Sequence, residues 1–177
     1  MTRIRNANAQ QNNWKLSLIL LTVLWSCSGR PRNEAPQRTE VSDLQKVKLN
    51  DLNGQPIDLD QFNGKTIFIN VWATWCKPCI QEMPTINSAQ SMFKDNDVVF
   101  LFASNEEIDR INEFSAKHPY EFLYVNLENM EDLKIQALPT TFIFDSDGKL
   151  RFSESGFRMW DEAANIDLIS KIKNHEK

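Results

Sequence analysis

Two cysteines separated by two residues form the most reactive motif of the chain. Cys76 and Cys79 enclose Lys77 and Pro78, and Trp75 precedes the first cysteine. A cysteine thiolate attacks a disulfide to give a mixed disulfide, which a second nearby cysteine can then resolve. The spacing therefore predicts thiol–disulfide exchange, in which Cys76 attacks and Cys79 resolves.

A metal site or a haem attachment site is the other chemistry that such a cysteine pair could serve. A tetrahedral zinc site needs about four ligands, whereas His118 and His175 lie far along the chain from the pair. Attachment of c-type haem requires a histidine directly after the second cysteine, where this chain has Ile80. The sequence therefore predicts no metal ion and no cofactor.

The cysteine pair is predicted to lie where a buried strand ends and a helix begins. Residues 66–73 (TIFINVWA) are β-branched and aromatic, as in a strand buried on both faces, and a helical pattern covers residues 77–93. Unpaired N–H groups at a helix N-terminus favour negative charge, so Cys76 is expected to be partly a thiolate. Lys77 adds a positive charge nearby, and Pro78 suits the first helical turn.

The remaining segments alternate between strand and helix patterns. Further strand patterns cover residues 98–103, 122–125, 140–144 and 149–152, and further helical patterns cover residues 106–117 and 160–173. This alternation predicts an α/β domain with a mixed central sheet flanked by helices, having a parallel core and an antiparallel edge hairpin. Residues 47–49 and 57–59, joined by an Asn53-Gly54 turn, predict an additional N-terminal β-hairpin.

Three segments resemble the TlpA/ResA-like branch of the thioredoxin superfamily, over roughly residues 45–175: DLNGQPIDLDQFNGK, TIFINVWATWCKPCIQEMP and LPTTFIFDSDGKL. The resemblance implies a thioredoxin-like fold with Cys76 as the nucleophile and Cys79 as the resolving cysteine. It also implies a cis bond before Pro139, which would turn the Leu138 backbone toward the site to bind a partner strand. Trp75 is expected to pack over the disulfide or to contact the partner.

Glu82 is the candidate for proton transfer. The resemblance places it in a C-x-x-E-x-P pattern that runs from Cys79 to Pro84, and residues three apart share one helical face. A partly buried carboxylate at this position would have a raised pKa and could accept the Cys79 proton. The alternative is an exposed surface glutamate. Thioredoxin itself carries a buried acid six residues before the first cysteine, where this chain has Asn70, which cannot titrate.

The N-terminal segment predicts export. A polar and basic stretch over residues 1–15 precedes an apolar run, Leu16 to Trp25, which is the layout of a signal peptide. As a helix this run would span only about 15 Å, half of a bilayer core. Leu24-Trp25-Ser26-Cys27 resembles the lipobox of bacterial lipoproteins, which implies a lipid on Cys27. A soluble export signal or an uncleaved anchor is the alternative.

The predicted organisation has three parts. We expect a lipoprotein-type signal peptide over residues 1–26, the lipidated cysteine and a flexible linker over residues 27–45, and the thioredoxin-like domain over residues 46–177. Three of the 20 basic residues and no acid precede residue 27, so the remainder carries 24 acidic against 17 basic residues. An acidic domain does not favour nucleic-acid binding.

These features together predict a thiol–disulfide oxidoreductase that acts on protein partners outside the cytoplasm, anchored to a membrane facing the periplasm or the outer surface. The resemblance favours a reductant of exported proteins such as apocytochrome c, supplied with electrons by a membrane donor protein. An oxidant or isomerase of folding proteins is the alternative, because potentials in this superfamily span about 150 mV, or roughly 7 kcal/mol. A peroxidase would have threonine at Ala73, and the intact cysteine pair disfavours a non-catalytic binding module.

Overall fold

The computed structural model describes residues 42–93, 97–118 and 120–175. The predicted signal peptide, Cys27 and most of the predicted linker lie outside the described residues. Leu44–Lys46 form a 3₁₀ turn, in which Leu44 is buried and donates its N–H to the Gly148 carbonyl at 3.0 Å. The packed domain therefore includes the last residues of the segment that was predicted to be a flexible linker.

Six strands form one mixed sheet in the order β1-β4-β3-β2-β5-β6. The strands are β1 Leu49–Asn50, β2 Thr66–Val71, β3 Val98–Ser104, β4 Leu123–Leu127, β5 Thr140–Phe144 and β6 Leu150–Ser155. Strands β2, β3 and β4 are mutually parallel, whereas β1, β5 and β6 run antiparallel to their neighbours. The predicted parallel core and antiparallel edge hairpin are confirmed.

Three helices accompany the sheet: α1 Lys77–Met92, α2 Ile108–Lys117 and α3 Ala163–Lys173. The second and third begin later than their sequence patterns predict. Glu106 and Trp160, the first residues of those patterns, lie in turns and bond to other segments of the chain instead of starting a helix. Among the described residues, no helix combines the length and the apolar character needed to cross a bilayer.

The N-terminal hairpin is shorter than predicted. Asn50 of β1 bridges to Pro56, and the Ile57 N–H donates to the Leu49 carbonyl at 2.8 Å. The Asp51 N–H donates to the Gln55 carbonyl at 2.8 Å on the other side of this bridge. The second arm then ends, because the Asp58 side chain accepts the Asp60 N–H at 3.0 Å and caps a 3₁₀ helix, Leu59–Phe62, in place of the predicted strand at residues 57–59.

Side chains of β2 alternate between two buried clusters, as expected for a strand covered on both faces. Phe68 belongs to the cluster that also contains the buried residues of all three helices, Trp160 and both cysteines of the motif. Ile67 and Ile69 belong to the other cluster, which contains Leu44 and Leu59 from the N-terminal segment. The cysteine pair thus lies on the helical face of the sheet.

Candidate active site

Cys76 and Cys79 form a disulfide at the N-terminus of α1, with their Cα atoms 5.3 Å apart. Cys76 is the N-cap residue of the helix, and its sulfur accepts the Cys79 N–H at 3.3 Å. Cys76 is 4% exposed and Cys79 is 1% exposed. The residue predicted to attack is therefore the more accessible of the two.

The position of Cys76 favours a thiolate once the disulfide is reduced. The Cys79 N–H and the positive end of the α1 dipole both face the Cys76 sulfur, and both stabilise negative charge there. Lys77 and Pro78 follow as exposed residues of the first helical turn, so the lysine adds a nearby positive charge. The sequence predicted this arrangement because a buried strand and a helical pattern flank the motif.

Trp75 presents a large apolar surface beside the disulfide. Its side chain is 71% exposed, whereas the preceding aromatic, Trp72, is fully buried. Aromatic side chains contribute much of the binding free energy at protein interfaces when they become buried there. Trp75 is therefore available to contact a partner protein.

The Leu138–Pro139 peptide bond is cis, and this segment lies at the same sheet edge as the cysteine loop. The register of β2 and β5 pairs Val71 with Thr140, which places Pro139 opposite the point where the chain leaves β2 for Cys76. The Pro139 carbonyl accepts the Gly156 N–H at 2.8 Å. The start of β5 and the end of β6 thus hold this segment beside the disulfide.

Glu82 is fully buried in the second turn of α1. Its Oε1 accepts a hydrogen bond from the Trp160 indole, whereas its Oε2 has no hydrogen-bond partner within the described residues. Burial raises the pKa of Glu82 to about 7, although Trp160, Arg158 and Asn70 oppose the rise. Glu82 is therefore a buried titratable group and not an exposed surface glutamate.

Asn70 occupies the place where thioredoxin has its buried acid. It is buried in β2, and its amide donates to the Thr141 hydroxyl at 3.0 Å. The same amide favours the ionised form of Glu82 and so lowers the pKa of that carboxyl. The acid beneath the disulfide is thus supplied by α1, and β2 supplies a neutral amide that supports it.

Glu106 is a site residue that the sequence did not reveal. Its carboxylate accepts the Thr74 N–H at 2.6 Å and the Thr74 hydroxyl at 2.8 Å, and Arg110 lies 3.7 Å away. Thr74 is two residues before Cys76, so this carboxylate holds the loop that leads into the motif. No local pattern could have found the contact, because 32 residues separate its partners.

Within the described residues, one group of three side chains could act as metal ligands, and it includes neither Cys76 nor Cys79. Asp145, Asp147 and His175 have ligand atoms within 4.8 Å of one another. Asp145 already pairs with Arg151, and His175 bonds to Ser146. The Asp145 carboxylate and the Nε2 of His175 thus have partners within the protein. The other histidine, His118, bonds to the Phe114 carbonyl at 2.8 Å.

Comparison with protein families agrees with this geometry. The family described as Redoxin matches residues 33–167. Thiol-disulfide oxidoreductase ResA of Bacillus thuringiensis subsp. konkukian is 35% identical over 106 residues, which are 58% of this chain and 61% of the relative. The chain thus spans about three fifths of the length of the curated relatives it matches.

Solved structures share the fold over most of the chain. A Bacteroides vulgatus protein has a TM-score of 0.62 at 26% identity, covering 71% of this chain and 90% of that one. A thiol:disulfide interchange protein of the thioredoxin family from Chlorobium tepidum has a TM-score of 0.58 at 22% identity, covering 72% and 92%. The predicted thioredoxin-like fold is confirmed.

Proposed function

The chain belongs to the redoxin family, and from this premise we propose that it is a thiol–disulfide oxidoreductase acting on protein thiols and disulfides. The observation that carries the proposal is the place of Cys76, whose sulfur caps α1 and accepts the N–H of the cysteine it is bonded to. A sulfur in this position is a good leaving group in the disulfide and a stabilised thiolate in the dithiol. Both properties are needed for reversible exchange.

In the reducing direction, the Cys76 thiolate attacks one sulfur of a partner disulfide. A Cys76–partner bond forms while the partner S–S bond breaks, and the other partner sulfur leaves as a thiolate. Cys79 then loses its proton and attacks the Cys76 sulfur, which releases the second partner thiolate. Two electrons pass to the partner, and this chain is left with the Cys76–Cys79 disulfide seen here.

Glu82 is proposed to take the proton that Cys79 must lose. It follows Cys79 by three residues in α1, so the two side chains share a face of the helix. A general base works best when its pKa is near the working pH, and the pKa of Glu82 is raised to about 7. In the oxidising direction, the same carboxyl would return a proton to Cys79.

The partner is proposed to bind where the motif and the cis-proline segment meet. Trp75, Lys77 and Pro78 are exposed around Cys76, whereas at the neighbouring strand end Leu138 is partly exposed and Pro139 is buried. Trp75 would supply apolar contact area. The Leu138 backbone would pair with an extended partner segment, since backbone pairing tolerates many sequences.

We favour electron donation to exported proteins such as apocytochrome c, with re-reduction by a membrane donor protein, on the resemblance to the TlpA/ResA-like branch. The direction is testable by the equilibrium potential against glutathione. A value near or below about −270 mV supports a reductant, and a value near about −120 mV would replace it with the oxidant or isomerase alternative.

The location is proposed to be outside the cytoplasm, on a lipid attached to Cys27, with residues 1–26 removed and the segment that precedes the packed Leu44 as a tether. The support is the basic, apolar and cysteine-ending order of the N-terminal sequence. Mass spectrometry of the mature protein should find a diacylglyceryl group on Cys27, and Cys27→Ala should release the protein from membranes. An unmodified wild-type chain in the soluble fraction would contradict the anchor.

The activity itself is tested by reduction of insulin disulfides with dithiothreitol as the electron source. Cys76→Ser should lower the rate to that of dithiothreitol alone, because the attacking thiolate is removed and the remaining Cys79 is buried. Cys79→Ser should instead accumulate mixed disulfides that dithiothreitol releases, because resolution fails. Equal rates for wild type and Cys76→Ser would favour the binding module over the enzyme.

A further inference from the structure

We propose that Trp160 is a positioning residue for Glu82: its indole N–H holds Oε1 of the carboxyl and leaves Oε2 as the atom that exchanges a proton with Cys79. This inference rests on the proposed function, in which Glu82 accepts that proton. The inference adds Trp160, which lies 78 positions after Glu82 in the sequence, to the groups that support proton transfer. It also assigns different tasks to the two oxygens of the Glu82 carboxyl.

The two oxygens of Glu82 have different surroundings. Oε1 accepts from the Trp160 indole. Oε2 is buried, and no donor within the described residues has hydrogen-bond geometry toward it, although the Arg158 backbone N–H and the Asn70 amide also favour the charged carboxylate. A buried carboxylate oxygen with no donor is costly, and adding a proton removes most of that cost. An indole N–H can only donate, so it stays bonded to the oxygen that carries no proton. Protonation is therefore directed to Oε2.

The indole is fixed in place relative to α1. The Trp160 backbone N–H donates to the Thr85 hydroxyl at 3.1 Å, and that hydroxyl donates to the Glu82 carbonyl at 2.8 Å. The indole also meets Phe68 edge to face, with ring centroids 4.7 Å apart. Backbone, hydroxyl and ring contacts thus align the N–H with one oxygen before any proton moves.

The contact also keeps Glu82 able to ionise. A hydrogen bond to a charged acceptor is stronger than one to a neutral acceptor, so the indole stabilises the carboxylate more than the acid. Of the groups that oppose the effect of burial on the pKa of Glu82, the Trp160 indole is the largest. Without it, we expect Glu82 to remain protonated at neutral pH and to accept no proton from Cys79.

The kinetic test compares variants in a single turnover of the reduced full-length protein with oxidised glutathione between pH 5 and 9. Trp160→Phe keeps an aromatic ring and removes the N–H, and it should move the midpoint of mixed-disulfide resolution to higher pH and slow resolution about tenfold at pH 7. Phe152→Leu is the matched control, since Phe152 contacts the Trp160 ring edge to face at 5.8 Å and leaves its N–H intact. Its midpoint should equal that of wild type.

Glu82→Gln separates this inference from the proposed function. If Glu82→Gln removes the midpoint and Trp160→Phe leaves it unchanged, the positioning role is overturned and the catalytic role of Glu82 stands. If Glu82→Gln itself leaves the profile unchanged, both are overturned. When both substitutions are combined, the pH profile of mixed-disulfide resolution should equal that of Glu82→Gln alone.

A spectroscopic measurement on the oxidised wild-type protein tests the contact between Trp160 and Glu82 even if Trp160→Phe does not fold. With ¹⁵N-labelled tryptophan, the Trp160 indole resonance should follow the titration of Glu82, with a midpoint near 7. The Trp72 indole is a matched internal control, because it is also buried and has no hydrogen-bond partner within the described residues. A Trp160 resonance that does not move between pH 5 and 9 would overturn the inference.

Discussion

Two carboxyl groups are buried among the residues of this domain that the structure describes, and their surroundings differ. Glu82, beneath the cysteine pair, is 0% exposed, and Asp145, at the turn between β5 and β6, is 1% exposed. Asp145 accepts the backbone N–H groups of Asp147 and Lys149, each at 3.0 Å, and it pairs with Arg151. Glu82 accepts one indole N–H.

The balance between burial and the donors that oppose it decides the charge of each group, and at Glu82 the Arg158 backbone N–H and the Asn70 amide join the Trp160 indole in favouring the ionised form. Burial by itself raises the pKa of both carboxyls. For Asp145, the hydrogen bonds from Arg151, Lys149 and Asp147 outweigh burial, so its pKa lies below the ordinary value. For Glu82, burial outweighs the donors, and the pKa of this carboxyl is raised to about 7. A buried carboxyl is thus a permanent structural anion where a guanidinium and backbone N–H groups outweigh burial, and a proton acceptor where burial outweighs its donors.

The largest expected effect is a loss of stability when the acceptor of the Asp145 turn is removed. Asp145→Ala leaves two backbone N–H groups and Arg151 without their acceptor. It should lower the free energy of unfolding by about 3 to 5 kcal/mol, measured by urea denaturation at pH 7. The rate of reaction with oxidised glutathione should change little where the variant is folded, because this turn takes no part in exchange.

Asp147→Ala is the matched control for Asp145→Ala. Asp147 is an exposed acid of the same turn, and the group it donates to Asp145 is its backbone N–H, which the substitution keeps. Its stability should change by less than about 0.5 kcal/mol. Equal losses in the two variants would mean that burial of the Asp145 carboxylate is not what stabilises the turn.

The next effect is a pH dependence of stability that comes from Glu82. Below about pH 4.5 the carboxyl is protonated in both states and has no effect. Between 4.5 and about 7 the unfolded chain loses the proton while the folded protein keeps it, so the free energy of unfolding falls as pH rises. The total fall should be about 3 kcal/mol, at about 1.4 kcal/mol per pKa unit.

Glu82→Gln should remove this fall and give a flatter stability curve between pH 5 and 8, measured by denaturation across that range. Asp145 contributes nothing to the curve there. Its pKa is lowered, so its contribution is complete above the ordinary value of 3.8 and is lost only as pH falls through the lower folded value. Parallel curves for wild type and Glu82→Gln would place the pKa of Glu82 near its ordinary value and end its role as a base.

The sequence predicted the parts of the site that depend on neighbouring residues. Cys76 at a helix N-terminus and Glu82 on the same helix follow from a buried strand pattern, a helical pattern and their spacing. The partners of the two buried carboxyls did not follow in the same way. Trp160 was read as the first residue of a helix, and Asp145 stayed unnoticed between two strand patterns.

Distance along the chain explains these omissions. The contact between Trp160 and Glu82 spans 78 residues, and that between Glu106 and Thr74 spans 32. Such contacts exist only once the sheet has brought the strand ends together, and no periodic pattern encodes them. The N-terminal hairpin was overestimated for a local reason, because alternation at residues 57–59 was given more weight than the capping tendency of Asp58.

A smaller loss of stability is expected at Glu106. Its carboxylate is more exposed than those of Glu82 and Asp145, at 10% of the side chain. Glu106→Gln keeps the shape and removes the charge that accepts the Thr74 N–H and hydroxyl. The free energy of unfolding should fall by about 1 to 2 kcal/mol, and hydrogen exchange at the Thr74 amide should accelerate about tenfold. Glu107→Gln, at an exposed neighbour without a side-chain capping bond, should change neither.

The smallest effect concerns Arg158, which favours the ionised form of Glu82 first through its backbone N–H and, to a smaller extent, through its charge. Its guanidinium lies 5.6 Å from the Trp160 ring centroid and also donates to Asn165 and Glu154, at 2.6 Å each. Arg158→Met keeps the apolar stem and removes the charge. The pKa of Glu82, read from the Trp160 indole resonance, should rise, but less than in Trp160→Phe, because a partly exposed charge is screened by water.

The outcome for Arg158 distinguishes two explanations of the contrast between the buried carboxyls. Glu154→Gln removes the exposed partner of Arg158 without touching Glu82, so it should leave the pKa of Glu82 unchanged or slightly lower. If Arg158→Met raised that pKa as much as Trp160→Phe does, nearby charge would control Glu82 as strongly as direct donors do. If it left the pKa unchanged, the charge of Arg158 would not reach the carboxyl, and burial together with direct donors would account for the difference from Asp145.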